Sequence, residues 1–348
     1  MIIGACGFGS TGSSAVTDYL SEFDEFQVLD GIEFDWVAGV DGLIDLDYHL
    51  HNSHFRTIDS RCAIFRYKQR SKSLALHYWH SGKINPHVLE NSVDRFLDSI
   101  IQVSWYGNQV GRYHGKIHSI VDMVAKRILS KIEKRLRIQS HLWPYEQIFL
   151  SINPDGFYEA AKRHVGDLLE AMGGDLSRPI VLDQPFSGNN PQASFSFFDD
   201  PYAIVVDRDP RDNYVFARTR LAGRNHFIPL DSVEDYVKYY RLLRDNQPYK
   251  ESNYRVLSIR FEDMVYQYDK TTQQIRNFLG LPEDPHPKSV FDPALSIANT
   301  QVWKRYPHFS EDIQYIEREL PEYLFDFSGY EEPDKDAKMF FGKSPKHA

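Results

Sequence analysis

The sequence predicts an α/β fold in which a mostly parallel central sheet carries helices on both faces. Three observations predict it. Residues 1–7, Met-Ile-Ile-Gly-Ala-Cys-Gly, form a short apolar run that leads straight into a Gly- and Ser-rich stretch, after which apolar residues recur at helical spacing. From residue 157 to 279, strand-length and helix-length apolar patterns alternate, as they do where parallel strands are joined by crossover helices. Hydrophobic residues make up 42% of the 348, enough to bury a large core.

The elements follow in order. Residues 1–7 read as a buried strand, and Val16, Tyr19, Leu20 and Phe23 mark the helix behind the loop. Gln27-Val-Leu-Asp30 reads as a second strand. From about 41 to 150 the chain changes character: it is rich in His, Tyr and Trp, is mostly helical in pattern, and reads as an insertion that shapes an acceptor site. Within it, residues 116–138 place Ile117, Ile120, Val121, Val124, Ile128, Ile132 and Leu136 on one helix face, with seven Lys/Arg against two acids elsewhere. Such a basic face suits an anionic or lipid-linked glycan at a membrane surface; a solvated face is the blander reading. Helices at 157–172, 211–221, 233–244 and 272–279 then alternate with strands at 179–183, 202–207 and 254–260. Residues 1–330 read as one domain and the polar 331–348 as a flexible tail.

Composition narrows the function. A net charge of −9 argues against a general nucleic-acid binder but leaves room for a local basic pocket. Two cysteines, Cys6 and Cys62, cannot build a disulfide framework or a Cys-based zinc site. His114 and His118 have the i, i+4 spacing of helical metal ligands, but no carboxylate pattern accompanies them, so no metal is expected. No run approaches 18 apolar residues and no leader pattern is visible, which predicts a soluble, cytoplasmic protein.

The loop Gly7-Phe-Gly-Ser-Thr-Gly-Ser-Ser14 is the first candidate site. Between a strand and a helix, unpaired backbone N–H groups and the helix dipole favour an anion. Gly9 and Gly12 permit positive φ and close approach of a phosphate, and Ser10, Thr11, Ser13 and Ser14 add hydroxyls. The spacing approaches G-x-x-x-x-G-K-[ST], with Ser13 in the Lys position, which weakens an ATP-using kinase.

Three further segments carry a resemblance. Asp207-Arg-Asp-Pro-Arg-Asp212 ends a strand and opens a helix; Arg260-Phe-Glu-Asp-Met264 is followed by Ile275-Arg-Asn-Phe-Leu-Gly-Leu281; and Trp303-Lys304 lies near the end. In this order they resemble the R-[DN]-P-R-D, R-[FY]-E-D-L, I-x-x-F-L-G-L and W-K segments of PAPS-dependent sulfotransferases, carbohydrate-type members included. The resemblance spans nearly the whole chain and implies a P-loop-type, sulfotransferase-like fold. It also implies PAPS as sulfuryl donor, PAP as product, and no metal. PAPS needs two anion sites. The resemblance gives the first loop the phosphosulfate, Arg208 the 3′-phosphate, and Trp303 and Arg305 the closing loop. Ser10 stands where the family has Lys or Arg, and Phe216 where it has Ser, so that Arg218 or Arg220 becomes a candidate for the missing phosphate bond.

Sulfuryl transfer needs a base for the acceptor hydroxyl and a cation for the leaving phosphate. Pro179-Ile-Val-Leu-Asp-Gln-Pro185 has the shape of the family's base-bearing strand, which nominates Asp183. Lys304 and Arg305 are the nominated cations, with Arg66 and Lys68 behind them. Trp79, Trp105, Tyr106, Tyr113 and Trp143 suggest a saccharide acceptor, because aromatic faces stack on sugar rings. The alternatives are an ATP-using P-loop kinase and a nucleotide-binding protein without catalysis.

Overall fold

A computed structural model describes residues 1–52, 56–79, 85–107, 116–137, 146–221, 227–245, 255–281, 290–334 and 339. Among the described residues the strands are β1 Ile2–Gly7, β2 Gln27–Glu33, β3 Val103–Gly107, β4 Glu146–Leu150, β5 Ile180–Asp183, β6 Pro201–Asp207 and β7 Val256–Arg260. The helices are α1 Ser14–Leu20, α2 Asp35–Ala38, α3 Leu43–His51, α4 Arg56–Trp79, α5 Pro86–Ile100, α6 Lys116–Leu136, α7 Phe157–Ala171, α8 Pro210–Phe216, α9 Val233–Asp245, α10 Phe261–Tyr266, α11 Tyr268–Leu279, α12 Pro293–Ser296 and α13 Ser310–Glu319.

Five strands form one parallel sheet in the order β2-β5-β1-β6-β7. The predicted α/β class is therefore what the chain adopts. β1 is central and nearly all buried, which is why its sequence is a continuous apolar run instead of an alternating one. Successive side chains still point to opposite faces. Ile2 and Cys6 of β1, Leu182 of β5 and Val205 of β6 join one core with α3, α4, α5 and α7. Ile3, Ala5, Val181, Ile204 and Val206 join the other, against α1, α10 and α11. A third cluster, off the sheet, unites α8, α9, α13 and Val302.

Local sequence explains the helix boundaries. In α7, Phe157, Ala160, Ala161, His164, Val165, Leu168 and Leu169 recur on one buried stripe. α8 begins with Asp209 as N-cap and Pro210 in its first turn, then widens into a π-helical turn at Ala217–Leu221. α11 stops at Gly280, whose φ of 68° is the left-handed cap.

The region 41–150 is helical as expected, and its α3–α5 belong to the main core. It also holds a ribbon that sequence patterning did not predict: β3 and β4 pair antiparallel from Val103↔Leu150 to Gly107↔Glu146, and α6 lies between them in sequence. Met339 is buried against the third cluster, and its carbonyl accepts from Arg220 at 2.8 Å; residues 335–338 and 340–348 lie outside the described residues. Among the described residues no helix is long and apolar enough to cross a membrane.

Strand order places the site. β1 is flanked by β5 on one side and β6 on the other, so the connections leave it in opposite directions. In open α/β sheets the crevice beyond the carboxyl ends of strands at such a switch point is where ligands bind. Gly7, Asp183 and Asp207 are the last residues of β1, β5 and β6.

Candidate active site

The loop after β1 is held from three sides. Gly9, Ser10 and Gly12 all have positive φ, 86°, 56° and 92°. At Gly12 the backbone lies so close to Phe261 that a Cβ would stand 2.6 Å from the ring. Ser10 has no such licence, and an L residue in this region costs on the order of 1 kcal/mol or more. Its carbonyl accepts Arg208 Nη1 at 3.2 Å, and Asn213 Nδ2 donates to the carbonyl of Gly9 at 2.9 Å, so neighbouring contacts over-determine the turn. The buried Thr11 hydroxyl accepts the Phe8 N–H at 3.2 Å and works inside the loop.

Gln184 is the third clamp, and sequence reading missed it. Its Oε1 accepts the Gly7 N–H at 3.2 Å while its Nε2 donates to Ser13 Oγ at 2.9 Å, so one side chain ties together both ends of the loop. It follows directly on β5 with φ 49°.

The segment after β6 divides its labour. Arg208 is 3% exposed, lies between the rings of Phe216 (4.7 Å) and Phe261 (5.2 Å), and donates to the carbonyls of Ser10 and Asn299. Its Nε is buried with no hydrogen-bond partner among the described residues. The other members of the segment build scaffold. Asp209 caps α8 through the Arg211 N–H and pairs with the Arg211 guanidinium at 2.8 Å, while its own N–H donates to Glu262 at 2.8 Å. Asp212 accepts the N–H groups of Gln301 and Val302. Arg211 lies 4.0 Å over the Trp303 ring. Asp207 forms a two-pronged pair with Arg244, which lies between Phe8 and Tyr240. The motifs at 207–212 and 260–264 thus form one buried knot joining β6, β7 and the 301–305 turn.

Burial leaves its mark on the carboxyls of this knot. It pushes the Asp212 carboxyl up to about 7, opposed by the Arg208 charge. It pushes Glu262 up to about 8, opposed by Arg260. Glu262 Oε2 is buried without a hydrogen-bond partner among the described residues and meets Arg260 only at 3.7 Å, so desolvation outweighs the pairing.

A cavity of about 790 Å³ opens over these strand ends. Gly7, Gly9, Ser10, Gly12, Ser13, Ser14, Asp183, Gln184, Arg208 and Phe216 all line it, which brings most of the sequence-nominated residues into one space. Two nominated by structure alone are Glu33 and Asp35, at the end of β2 beside Asp183. Surrounding protein raises the Glu33 carboxyl pKa, with Asp35 adding to it. Asp35 is paired with Arg70 at 3.0 Å. Phe186, Phe227, Tyr239 and Leu243 give the cavity an apolar wall.

The remaining nominees stand elsewhere. Thr11 lies behind the cavity wall. Lys304 pairs with Glu332 at 2.6 Å, Arg305 donates to the carbonyl of Ala298, and Arg218 to that of Leu230. With Trp303 packed on Arg211, none of these four lines the cavity. Arg66 pairs with Asp41 and Lys68 with Asp94. Trp79, Trp105 and Tyr106 lie outside the cavity lining; Tyr113, Trp143 and His114 fall outside the described residues, and nothing is described of the His118 side chain. Among the described residues no group of three or more His, Cys, Asp or Glu could hold a metal ion.

No protein-family model and no curated protein matches the chain. Among solved structures it is similar to the sulfotransferase domain of a Synechococcus olefin synthase, with 14% identity over 82% of this chain and 74% of that one and a TM-score of 0.38. It is also similar to the sulfotransferase domain from the curacin biosynthetic pathway (16% identity, 96% and 98% covered, TM-score 0.36). A third is a Mycobacterium tuberculosis sulfotransferase (14% identity, 82% and 68% covered, TM-score 0.34).

Proposed function

We propose that this protein is a sulfotransferase that takes PAPS as donor and moves its sulfuryl group to a hydroxyl of an acceptor, a saccharide being the acceptor class favoured by the sequence. One observation carries the reading: the Arg208 guanidinium reaches the carbonyl of Ser10, so a buried cation and a Gly-rich loop flank one cavity. PAPS bears anions on the 5′ and 3′ positions of one ribose. A ligand of that kind needs two anion sites only a sugar apart, on adjacent strand ends. Gly9, Ser10, Gly12, Ser13 and Ser14 receive the phosphosulfate, with Thr11 fixing their loop, and Arg208 the 3′-phosphate, for which its unpartnered Nε leaves a donor.

In the transfer, the acceptor oxygen bonds to sulfur as the bond from sulfur to the phosphate oxygen breaks, and the hydroxyl proton passes to Asp183. The loop N–H groups and hydroxyls hold the charge that develops on the departing 5′-phosphate. Lys304, Arg305, Arg218 and Trp303 enter this reading only through a shift of their turns toward the cavity, since in the present arrangement they are engaged elsewhere. The apolar wall of Phe186, Phe227 and Tyr239 offers a sugar ring a face to lie on. An ATP-using kinase is the weaker reading, because position 13 is Ser and Asp207, the acid such an enzyme would offer to Mg²⁺, is held by Arg244.

Calorimetric titration with PAP, and with ATP plus Mg²⁺ for comparison, tests the reading. PAP binding that disappears in Arg208→Ala is the expected result. Binding of ATP with Mg²⁺ but not PAP would overturn it in favour of a kinase.

A further inference from the structure

Among the described residues, the β3 strand and α6 together expose seven large apolar side chains. On α6, Val124, Ile128, Ile132 and Leu136 are 47%, 53%, 41% and 58% exposed. Their spacing of four residues puts them on one stripe that advances slowly around the helix. None of the described side chains of α6 belongs to any of the three core clusters. A helix normally buries such a stripe against its own fold; this one shows it to the outside. The ribbon that carries it is exposed in the same manner: Val103, Trp105 and Tyr106 all leave apolar surface open.

Charge says what covers this face. Residues 116–138 hold seven Lys/Arg against two acids in a chain whose net charge is −9. Arg127, Lys131 and Lys134 border the stripe along one side and Arg135 lies within it, all exposed and outside the core. A low-hydrophobicity helix with an apolar face bordered by long basic side chains is the pattern of a segment that lies in the plane of a membrane interface. Its aliphatic side chains enter the boundary of headgroups and acyl chains, while Lys and Arg reach back to anionic headgroups. Exposed Trp and Tyr beside it suit the same layer, with an apolar ring and a polar edge. The acidic remainder of the chain would be repelled by the same surface, which orients the body away from it.

We propose that α6 and the β3–β4 ribbon dock this protein on an anionic lipid surface, with Val124, Ile128, Ile132 and Leu136 inserted and Arg127, Lys131 and Lys134 against the headgroups. The proposal is independent of the donor-site reading.

Flotation with vesicles of phosphatidylcholine alone, and with about a third phosphatidylserine, tests it at roughly 0.1 M salt. The full chain is expected to float with the anionic vesicles only, and to be released as salt rises. Ile128→Asp/Ile132→Asp should lower vesicle partition at least about tenfold, and Arg127→Glu/Lys131→Glu/Lys134→Glu should do the same. Because these side chains are exposed, thermal melting should be unchanged in both variants. No binding to the anionic vesicles, or binding that both variants retain, overturns the proposal. So does a concentration-dependent dimer in sedimentation that Ile128→Asp/Ile132→Asp dissolves, since the stripe would then cover a second copy.

Discussion

The guanidinium of Arg208 lies 4.7 Å over the ring of Phe216. The ring has no hydroxyl to offer an anion and instead supports the cation from one side. A desolvated cation–π contact contributes about 0.5–2 kcal/mol. Phe216→Leu is therefore expected to weaken PAP binding about two- to thirtyfold. Arg208→Ala should weaken it at least about a hundredfold, because charge-assisted bonds are lost outright. Arg208→Lys should fall between, keeping charge but not the fork. Calorimetry on the three variants gives the order, and equal loss in Phe216→Leu and Arg208→Ala would contradict it.

Gln184 bridges Gly7 and Ser13, so its removal should loosen the loop as a whole. Gln184→Ala strands a partly buried N–H, and a loss of about 1–3 kcal/mol of stability is expected. PAP affinity should drop roughly tenfold with it. Gln184→Glu keeps the acceptor for Gly7 but sets a negative charge beside the anion loop, and should bind PAP more weakly still. Melting curves and PAP titrations measured together would show it; a Gln184→Glu protein that binds as tightly as the native one would count against an anion at this loop.

Glu262 and Asp212 make stability depend on pH. Their folded-state values are pushed up to about 8 and about 7, by burial above all, while the unfolded chain returns them to about 4. Between these limits the folded state holds more protons than the unfolded one, so stability falls as pH rises. The contribution is complete below about pH 4 and is gone once pH has passed through the folded values. Glu262→Gln keeps an oxygen for the Asp209 N–H and cannot ionise. It should flatten the decline between about pH 5 and 8 and melt no lower than the native protein at pH 8. A Glu262→Gln protein with the native slope would assign the decline to other groups.

Asp183 and Glu33 stand at the ends of paired strands on one cavity, and mutagenesis separates them. Asp183→Asn should reduce turnover at least about a hundredfold while leaving PAP affinity unchanged. Glu33→Gln should retain most turnover. If the two results are exchanged, Glu33 is the base.

Much of this arrangement was legible in the residues themselves. A seven-residue apolar run followed by glycines and serines announced β1 and its loop, and Arg208 stood out only through the resemblance of its Arg-Asp-Pro-Arg-Asp segment, which follows a buried strand. The role of Asp209, Asp212 and Glu262 was not legible. All three look like surface acids in a list, and only their burial against backbone N–H groups reveals a scaffold. Glu33, Asp35 and Gln184 escaped for another reason. Each matters because β5 lies between β1 and β2, and strand order is a long-range property that periodicity does not carry. The β3–β4 ribbon escaped because Val103–Gly107 is short, largely exposed and followed by a strong helical pattern.

The ribbon has one more consequence. Gly107 and Glu146 are cross-strand partners, so the two ends of the 108–145 segment meet at one place. Replacing 108–145 by a two-residue Asn-Gly turn would close the hairpin without disturbing β1, β5, β6 or the cavity above them. The proposed lipid docking and the proposed transfer would then be separately editable, one on a removable segment and the other in the sheet.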